Sequence, residues 1–400
     1  MKLPLWGSAL MATLIAQTVS AFASLAIPLL GPPLMQRAGL QPESIGIISA
    51  TTAAGICWCL VCGGPMLGHH GPIRTLQIGL VCIALGLLSL SQPLGLIGFL
   101  GALAIGFGSG HNNPAGSQIL VRTAPPRHRT LIFSIKQAGV PLGGALTDLM
   151  AAPLALAYGL SAALWAIIGV VLLAALMLQP FRRMLDTDRV ARRGWAAALV
   201  SPTALARSVR VLRAHPSLPL LTALGVSFSL MQACLMAFTA TYAVSRHGAS
   251  LAEAGRIVAV MQLASMVGRI ALGWLADRMG HALRHLAWQA LASTLAVVLL
   301  ITSGHHGSWA LYGCAAAVGI TAIGWNGVHM AELARVAPLA LVGDVTSAAN
   351  FFGFVGSICG PLAFMLIVRW SGSYDLAFLV MAVQLAAFGL TSAVILRRQV

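Results

Sequence analysis

Charged side chains are scarce in this sequence, and acidic ones are the scarcest. Only 8% of the 400 residues are charged and nine are Asp or Glu, whereas 58% are hydrophobic. A soluble globular domain usually has about 25% charged residues, so a water-soluble fold of this size is excluded. The net charge of +15 comes from arginines between apolar runs. No basic stripe is interleaved with aromatic residues, and we therefore expect no nucleic-acid binding.

Long apolar runs dominate what is present. Twelve such runs have roughly the 20-residue length that crosses a bilayer as a helix, and the alternation of an outer-membrane β-strand is absent. The first run is too long for a cleaved signal peptide. The sequence therefore predicts an all-α membrane protein of twelve transmembrane helices, near 5–34, 45–67, 75–91, 94–121, 130–156, 160–180, 217–244, 252–275, 285–303, 308–331, 345–368 and 374–396.

One long polar connection divides these spans six and six. We expect an N-terminal six-helix bundle over 1–180, a basic cytoplasmic linker over 181–216 and a C-terminal six-helix bundle over 217–400. With the N-terminus inside, most arginines fall on the cytoplasmic side, and only Arg37, Arg246 and Arg369 fall outside. The positive-inside rule then predicts two cytoplasmic termini, in an inner (plasma) membrane of bacterial type.

The two predicted halves also resemble each other in sequence. A shift of 213 residues aligns "AIGFGSGHNNPAGSQILVRTAP" in the fourth span with "AVGITAIGWNGVHMAELARVAP" in the tenth. A shift of 209 aligns the loop "GPMLGHHG" with "GWLADRMG". Several matches in the same order indicate a duplicated six-helix unit of the kind found in transporters. The paired residues are Gly106 with Gly319, Asn113 with Asn326, Gly64 with Gly273, and Gly71 with Gly280.

The most specific motif is Gly268-Arg269 followed by "GWLADRMG", which runs from Gly273 to Gly280. An Asp-Arg pair between two glycines suits a tight cytoplasmic turn where two helix ends approach each other. Asp277 is placed to bind the N-terminal amides of a neighbouring helix or an arginine across the turn.

This stretch resembles the signature loop of the major facilitator superfamily, G-x-L-a-D-R-x-G. With the six-plus-six repeat, the resemblance covers essentially the whole chain. It implies two pseudo-symmetric six-helix bundles around a central cavity, working by alternating access. In the first half Gly68 and His69 stand where the Asp and Arg would be, so we expect a latch only in the second half. A loop that merely fixes topology is the alternative. The predicted gating-loop residues are Asp277, Arg278, Gly273, Gly280 and Arg269.

The fifth span, "FSIKQAGVPLGGALTD", combines glycines with a proline. Such residues allow close helix approach and a local bend. The stretch partly resembles the fifth helix of proton-coupled drug exporters in the same superfamily. We predict a helix-packing and gating element made of Gly139, Pro141, Gly143 and Gly144.

Lys136 lies about 10 Å into the fifth span, seven residues beyond Arg129. A charge at that depth is costly unless it faces a cavity or snorkels to the interface. We favour an ammonium that faces the cavity and attracts an anionic substrate, with space left beside it by Gly139 and Gly143. Snorkelling is the alternative.

The resemblance places the first, fourth, seventh and tenth helices around the cavity. No acidic residue occurs within the first, fourth or seventh span, although a cation-binding drug exporter is expected to have one. If protons drive transport, the candidate carriers are His111, Asp148 and Glu332, of which His111 titrates nearest neutral pH. The predicted cavity residues are Lys136, His111, Asn112, Asn113, Gln17, Gln232, Trp325 and Asn326.

These features predict a secondary active transporter of a small organic solute, with an organic anion as first choice and proton coupling. Proton-coupled efflux of drug-like or neutral compounds is the alternative, followed by sugar or nucleoside transport. Metal transport through "CWCLVC" lacks a further ligand set, and a membrane enzyme or receptor has no supporting motif. We expect no cofactor, no metal and no enzymatic activity. The partners are the solute, protons and lipids, and the protein is expected to be a monomer.

Overall fold

The structure is a computed structural model that describes residues 4–37, 45–92, 96–187, 194–201, 203–303 and 308–397. Within these ranges every regular element is a helix. Linker residues 188–193 and 202 lie outside the described residues, as do both ends of the chain.

The first six predicted spans and the linker form thirteen α-helices. They are α1 (Leu5–Leu29), α2 (Gly31–Arg37), α3 (Ile45–Cys62), α4 (Gly64–His70), α5 (Pro72–Leu90), α6 (Leu96–Gly110), α7 (Asn112–Thr123), α8 (Arg129–Gln137), α9 (Gly139–Tyr158), α10 (Leu160–Met177), α11 (Gln179–Leu185), α12 (Trp195–Ala198) and α13 (Ala204–Val211).

The last six predicted spans form seven more. They are α14 (Ser217–His247), α15 (Leu251–Met279), α16 (Ala282–Thr302), α17 (Ser308–Val318), α18 (Asn326–Val336), α19 (Val342–Ser371) and α20 (Tyr374–Arg397).

Ten helical segments in the described residues are long and apolar enough to cross a membrane, and the bent pair α3–α4 is an eleventh candidate. The remaining predicted span, the fourth, is divided at His111 into α6 and α7. All twelve predicted spans are thus helical. The second span bends by 65° between α3 and α4, where Gly63 stands. The tenth span changes to a π-helix over Gly319–Ile323 before α18 begins.

The chain divides into two compact units. The first contains Met1–Pro125, Gly139–Val211 and Pro338–Ala348, and the second contains Pro126–Ala138, Leu212–Ala337 and Ala349–Val400. Each unit is therefore mostly one predicted half with a short segment from the other, and α8 belongs to the second unit. The bundle and linker boundaries at 180 and 216 stay a prediction.

Equivalent glycines bring equivalent helices together inside each unit. In the first unit, a methyl group at Gly106 would overlap the carbonyl oxygen of Thr52 on α3. In the second unit, a methyl group at Gly319 would overlap the carbonyl oxygen of Met261 on α15. Thr52 and Met261 are 209 residues apart, the shift already found for the loop. The sequence repeat thus corresponds to a repeated packing contact.

The loop glycines of the repeat also match in conformation. Gly71 ends α4 with a φ of 83°, and Gly280 ends α15 with a φ of 71°. Glycine reaches this left-handed region without the steric cost of a Cβ atom, so it ends both helices in a tight turn.

Candidate functional site

In the second unit, α8 packs against both α15 and α18 through glycine contacts. A methyl group at Gly273 on α15, or at Gly327 on α18, would overlap the Ser134 side chain. Ser134 is fully buried, and its Oγ has no partner among the described residues. A small residue on α8 therefore meets a glycine on each neighbour, which allows the three backbones to lie close together.

Asp277 binds the amino end of α8. Its Oδ1 accepts a hydrogen bond from the N–H of Thr130 at 2.9 Å, and its Oδ2 accepts one from Leu131 at 2.8 Å. These are the second and third residues of α8, whose amides have no partner inside the helix. A carboxylate at this end is also favoured by the helix dipole. The loop motif thus makes a charged cap on a separate helix.

The two arginines of the motif have other contacts. The guanidinium carbon of Arg278 lies 3.9 Å from the ring centroid of Trp274. Arg269 is 5% exposed, and its Nη1 donates a hydrogen bond to the carbonyl oxygen of Gln137 at 2.8 Å. Among the described residues, Asp277 forms no ion pair with Arg269 or with Arg278.

The end of α8 carries a buried polar cluster. Lys136 and Gln137 are 3% and 2% exposed. Lys136 Nζ donates to Gln137 Oε1 at 3.4 Å, and Gln137 Nε2 donates to Oδ1 of Asn326, the first residue of α18. Gln137 therefore connects Lys136, Arg269 and Asn326. We call these four residues the Gln137 cluster.

Two further predicted cavity residues meet beside α14. Trp325 Nε1 donates to Gln232 Oε1 at 2.9 Å, and the Trp325 ring stacks on Phe228 with 5.2 Å between ring centroids. His329 Nε2 donates to the carbonyl oxygen of Leu221 at 2.9 Å, so this histidine is held by the backbone of α14.

In the first unit, His111 lies at the break between α6 and α7. It is 2% exposed, its Nδ1 donates to the carbonyl oxygen of Phe107 at 3.0 Å, and Cys59 Sγ lies 3.2 Å from the same nitrogen. Its Nε2 is buried without a partner among the described residues. No group of three or more His, Cys, Asp or Glu side chains in the described ranges is arranged to hold a metal ion.

The other first-unit candidates are spread over α1 and α7. Asn112 Nδ2 donates to the carbonyl oxygen of Ser109 at 3.0 Å, and Asn113, the second residue of α7, is half-buried. Gln17 on α1 is 8% exposed, and its Oε1 lacks a partner among the described residues. A methyl group at Gly139 would come within 3.2 Å of the Gln17 side chain.

The glycines of the fifth span do not leave space beside Lys136, contrary to our expectation. A methyl group at Gly139 would lie 2.8 Å from Thr18 Oγ1, and one at Gly143 would overlap the Thr18 carbonyl oxygen. A methyl group at Gly144 would lie 3.3 Å from the side chain of Leu25, which is on α1 like Thr18. These glycines pack α9 against α1, with Pro141 in the first turn of α9.

The two carboxylic coupling candidates differ in environment. Glu332 forms a bidentate ion pair with Arg335, three residues later on α18, with both N–O distances at 2.6 Å. Asp148 is exposed on α9.

The loop of the first half that lacks the Asp-Arg pair, residues 64–71, lies in an aromatic cluster. The His69 ring stacks with Trp195 of the linker at 5.7 Å, and His70 meets the same tryptophan edge-on at 4.8 Å. Trp58 Nε1 donates to the carbonyl oxygen of Leu199 at 2.7 Å. Linker helix α12 thus packs on α4 where the Asp-Arg pair is missing.

Comparison with known proteins identifies the family. The profile of the Major Facilitator Superfamily matches residues 12–361. The chain belongs to the Major Facilitator Superfamily. It is 26% identical over 364 residues to an uncharacterized MFS-type transporter of Mycobacterium tuberculosis, which covers 89% of this chain and 78% of that protein. A second protein of the same description and species is 27% identical, and the chain spans 65% of its length.

Solved structures of superfamily members show the same fold. The Escherichia coli fucose:proton symporter superposes with a TM-score of 0.75 and 18% identity, covering 97% of this chain and 98% of that one. The human organic anion transporter MFSD10 gives a TM-score of 0.75 and 16% identity, covering 98% and 100%. This superfamily protein therefore has the twelve-helix fold of its relatives and is a multi-pass membrane transporter, not an enzyme.

Proposed function

We propose that this transporter is a proton-coupled secondary carrier of a small organic anion, and that Lys136 attracts the negative charge. The observation that carries the proposal is the burial of Lys136, which is 3% exposed. A snorkelling lysine would extend its ammonium to the surface. This ammonium lies instead against Gln137, which binds Asn326 at the start of α18.

Burial of an ammonium is costly unless hydrogen bonds or negative charge compensate it. The sequence has no acidic residue in its first, fourth or seventh span. A solute carboxylate at Lys136 would gain a charge-assisted hydrogen bond where the effective dielectric is low. The solute itself then supplies negative charge that the first, fourth and seventh spans lack.

Proton coupling is assigned to His111. Glu332 is held by Arg335 in a bidentate pair, and histidine is the side chain that ordinarily titrates near neutral pH. The Nε2 of His111 has no partner among the described residues, so this nitrogen is the group that we expect to exchange a proton during the transport cycle. The bacterial-type inner membrane, cytoplasmic termini and monomeric state belong to the same proposal.

The gating role of Asp277 also belongs to this proposal. Its carboxylate holds the amino end of α8, the helix that carries Lys136. Release of that cap would free the helix on which the anion-binding ammonium lies. Substrate access and loop opening would thereby be linked through α8.

Transport of a neutral or drug-like compound is the second candidate. The stacked rings of Phe228 and Trp325, with Gln232 bound to the indole, offer an aromatic face and an amide to an uncharged planar or sugar-like solute. The names of the two structural neighbours show that this fold accommodates both a sugar and organic anions.

Binding to the purified full-length protein separates the two candidates. A ligand of the native state raises thermal stability, so a panel of monocarboxylates and neutral sugars is screened by thermal shift. We expect Lys136→Met to abolish the shift given by a carboxylate and Lys136→Arg to retain part of it. Lys2→Met, at the only other lysine, is the matched control. A carboxylate that binds Lys136→Met like wild type refutes the proposal. A sugar whose shift is lost only in Trp325→Ala supports the second candidate.

A further inference from the structure

Arg269 is a buried cation that the structure leaves incompletely bonded. Its residue is 5% exposed, and its hydrogen bond among the described residues runs from Nη1 to the carbonyl oxygen of Gln137. Its Nε is buried with no partner in the described part of the chain, and no described ion pair includes it. A buried donor or charge without a partner is costly. A ligand that completed these contacts would recover part of that cost.

The loop motif does not use this cation. Arg269 lies eight residues before Asp277, about 12 Å along an α-helix. Asp277 has both oxygens on the amides of α8, and Arg278 lies over Trp274. Arg269 therefore needs a role separate from the cap on α8.

The surroundings of Arg269 favour negative charge. A methyl group at Gly324 would lie 3.3 Å from the backbone nitrogen of Arg269, and one at Gly268 would lie 2.7 Å from Ile320 Cα. The π-helical segment of the tenth span thus lies directly against this part of α15. Segments of π-helix occur often at functional sites, and α18, which begins two residues after Gly324, directs a partial positive charge toward its amino end.

Gln137 brings the second cation to the same place. Its carbonyl oxygen binds Arg269, its Oε1 lies 3.4 Å from Lys136 Nζ, and its Nε2 binds Asn326 at the start of α18. Two cationic side chains and a helix amino end thus contact one glutamine. A solute with two negative groups could therefore contact both cations, with one group on each.

We propose that Arg269 binds a second carboxylate of the substrate, so that the carrier takes short-chain dicarboxylates in preference to monocarboxylates. The inference rests on the proposed function of Lys136 and defines its substrate class. One carboxylate contacts Lys136. The other binds Arg269 through Nε and a terminal nitrogen, in the bidentate geometry that carboxylates form with arginine. Because both cations contact Gln137, Lys136 at its side chain and Arg269 at its carbonyl oxygen, a short chain between the two carboxylates fits this arrangement.

The test uses purified full-length protein and matched ligand pairs: propionate with malonate, and butyrate with succinate. Affinities come from thermal shifts at constant ionic strength. We expect wild type to bind each dicarboxylate at least about tenfold more tightly than its partner, since tenfold corresponds to the ~1.4 kcal/mol of one partly buried ion pair. Arg269→Gln should reduce dicarboxylate affinity to the level of the matched monocarboxylate measured in the same variant. Arg256→Gln, exposed on the same helix, is the matched control.

The outcomes separate this inference from the proposed function. If Arg269→Gln retains the dicarboxylate preference, or if no dicarboxylate stabilises wild type, the inference is overturned. Monocarboxylate binding that is lost in Lys136→Met would still uphold the proposed function. If carboxylates bind Lys136→Met normally, both fail. Should Arg269→Gln not fold, phenylglyoxal modification of wild type replaces it. Malonate must then slow modification of Arg269 but not of Arg256, and equal rates with and without malonate overturn the inference.

Discussion

The cap that Asp277 places on α8 can be tested by amide hydrogen exchange without knowing the substrate, and by a transport assay once a substrate is found. Asp277→Asn keeps one acceptor oxygen but removes the charge and the second acceptor, so one of the two amide bonds, at 2.9 and 2.8 Å, is weakened or lost. Removal of a helix cap costs about 0.5–2 kcal/mol, and a charge near a helix amino end contributes about 0.3–1 kcal/mol. We expect the change to weaken the docking of α8 by ~1–2 kcal/mol, which is about a five- to thirtyfold change in its opening equilibrium.

Amide hydrogen exchange measures that equilibrium directly, because it reports local opening free energies. In Asp277→Asn, exchange should accelerate along the whole of α8, and proteoliposomes should transport solute more slowly at normal expression. Asp186→Asn is a matched control. Asp186 accepts hydrogen bonds from the amides of Ile73 and Arg74, at 2.7 and 3.1 Å, and so caps α5 in the other unit. That variant should accelerate exchange at α5 and leave α8 unchanged.

Two results would refute the reasoning. Exchange that accelerates only at Thr130 and Leu131, with the rest of α8 unaffected, would mean that the cap does not hold the helix in place. Normal transport by a normally expressed Asp277→Asn protein would mean that the loop fixes topology and does not gate.

Three further predictions concern other parts of the molecule. In proteoliposomes, His111→Gln should exchange a bound carboxylate but no longer accumulate it in response to a pH gradient; accumulation like wild type would make His111 a packing residue. Gly106→Ala should lower the melting temperature of the purified protein, because overpacking costs about 1–3 kcal/mol, whereas Gly169→Ala, with open space around it, should not; equal melting temperatures would contradict the packing contact. Trp195→Ala should speed exchange over 194–201 about fivefold, since an aromatic pair contributes ~1 kcal/mol, while Trp309→Ala, at an 88% exposed position, should leave it unchanged; an unchanged rate in both would show that α12 is held by other contacts.

Much of the fold follows from the sequence, because a bilayer accepts few alternatives to apolar helices. The twelve apolar runs predicted the twelve spans, and the sequence repeat correctly paired Gly106 with Gly319. The breaks in the fourth and tenth spans were not predicted. Apolar runs interrupted by His111 or by a π-helical turn have the same hydropathy as continuous helices, so composition carries no signal for the interruption.

The arrangement of the candidate site could be predicted only in part. Lys136 and Asn326 were singled out because a charge and a repeated asparagine stand out among apolar neighbours. Gln137, which connects them to Arg269, was missed, since an uncharged residue beside a lysine gives little signal. Arg269 was assigned to the gating loop because it precedes the motif in sequence. Its separation from Asp277 by about two helical turns follows from the spacing. Its contact with Gln137 of α8 depends on helix packing, which spacing alone does not give.

The contacts of Gly106 and Gly319 have a consequence for how the two halves could diverge. Each glycine faces a carbonyl oxygen, one from Thr52 and one from Met261. Because the partner atom belongs to the backbone, the residue that supplies it can be replaced freely, as the change from threonine to methionine between the copies illustrates. The glycine has no such freedom. In a protein duplicated in this way, most side chains along a helix interface can change, and the kind of solute that the protein binds can change with them. The architecture is preserved by the few positions that must lack a side chain.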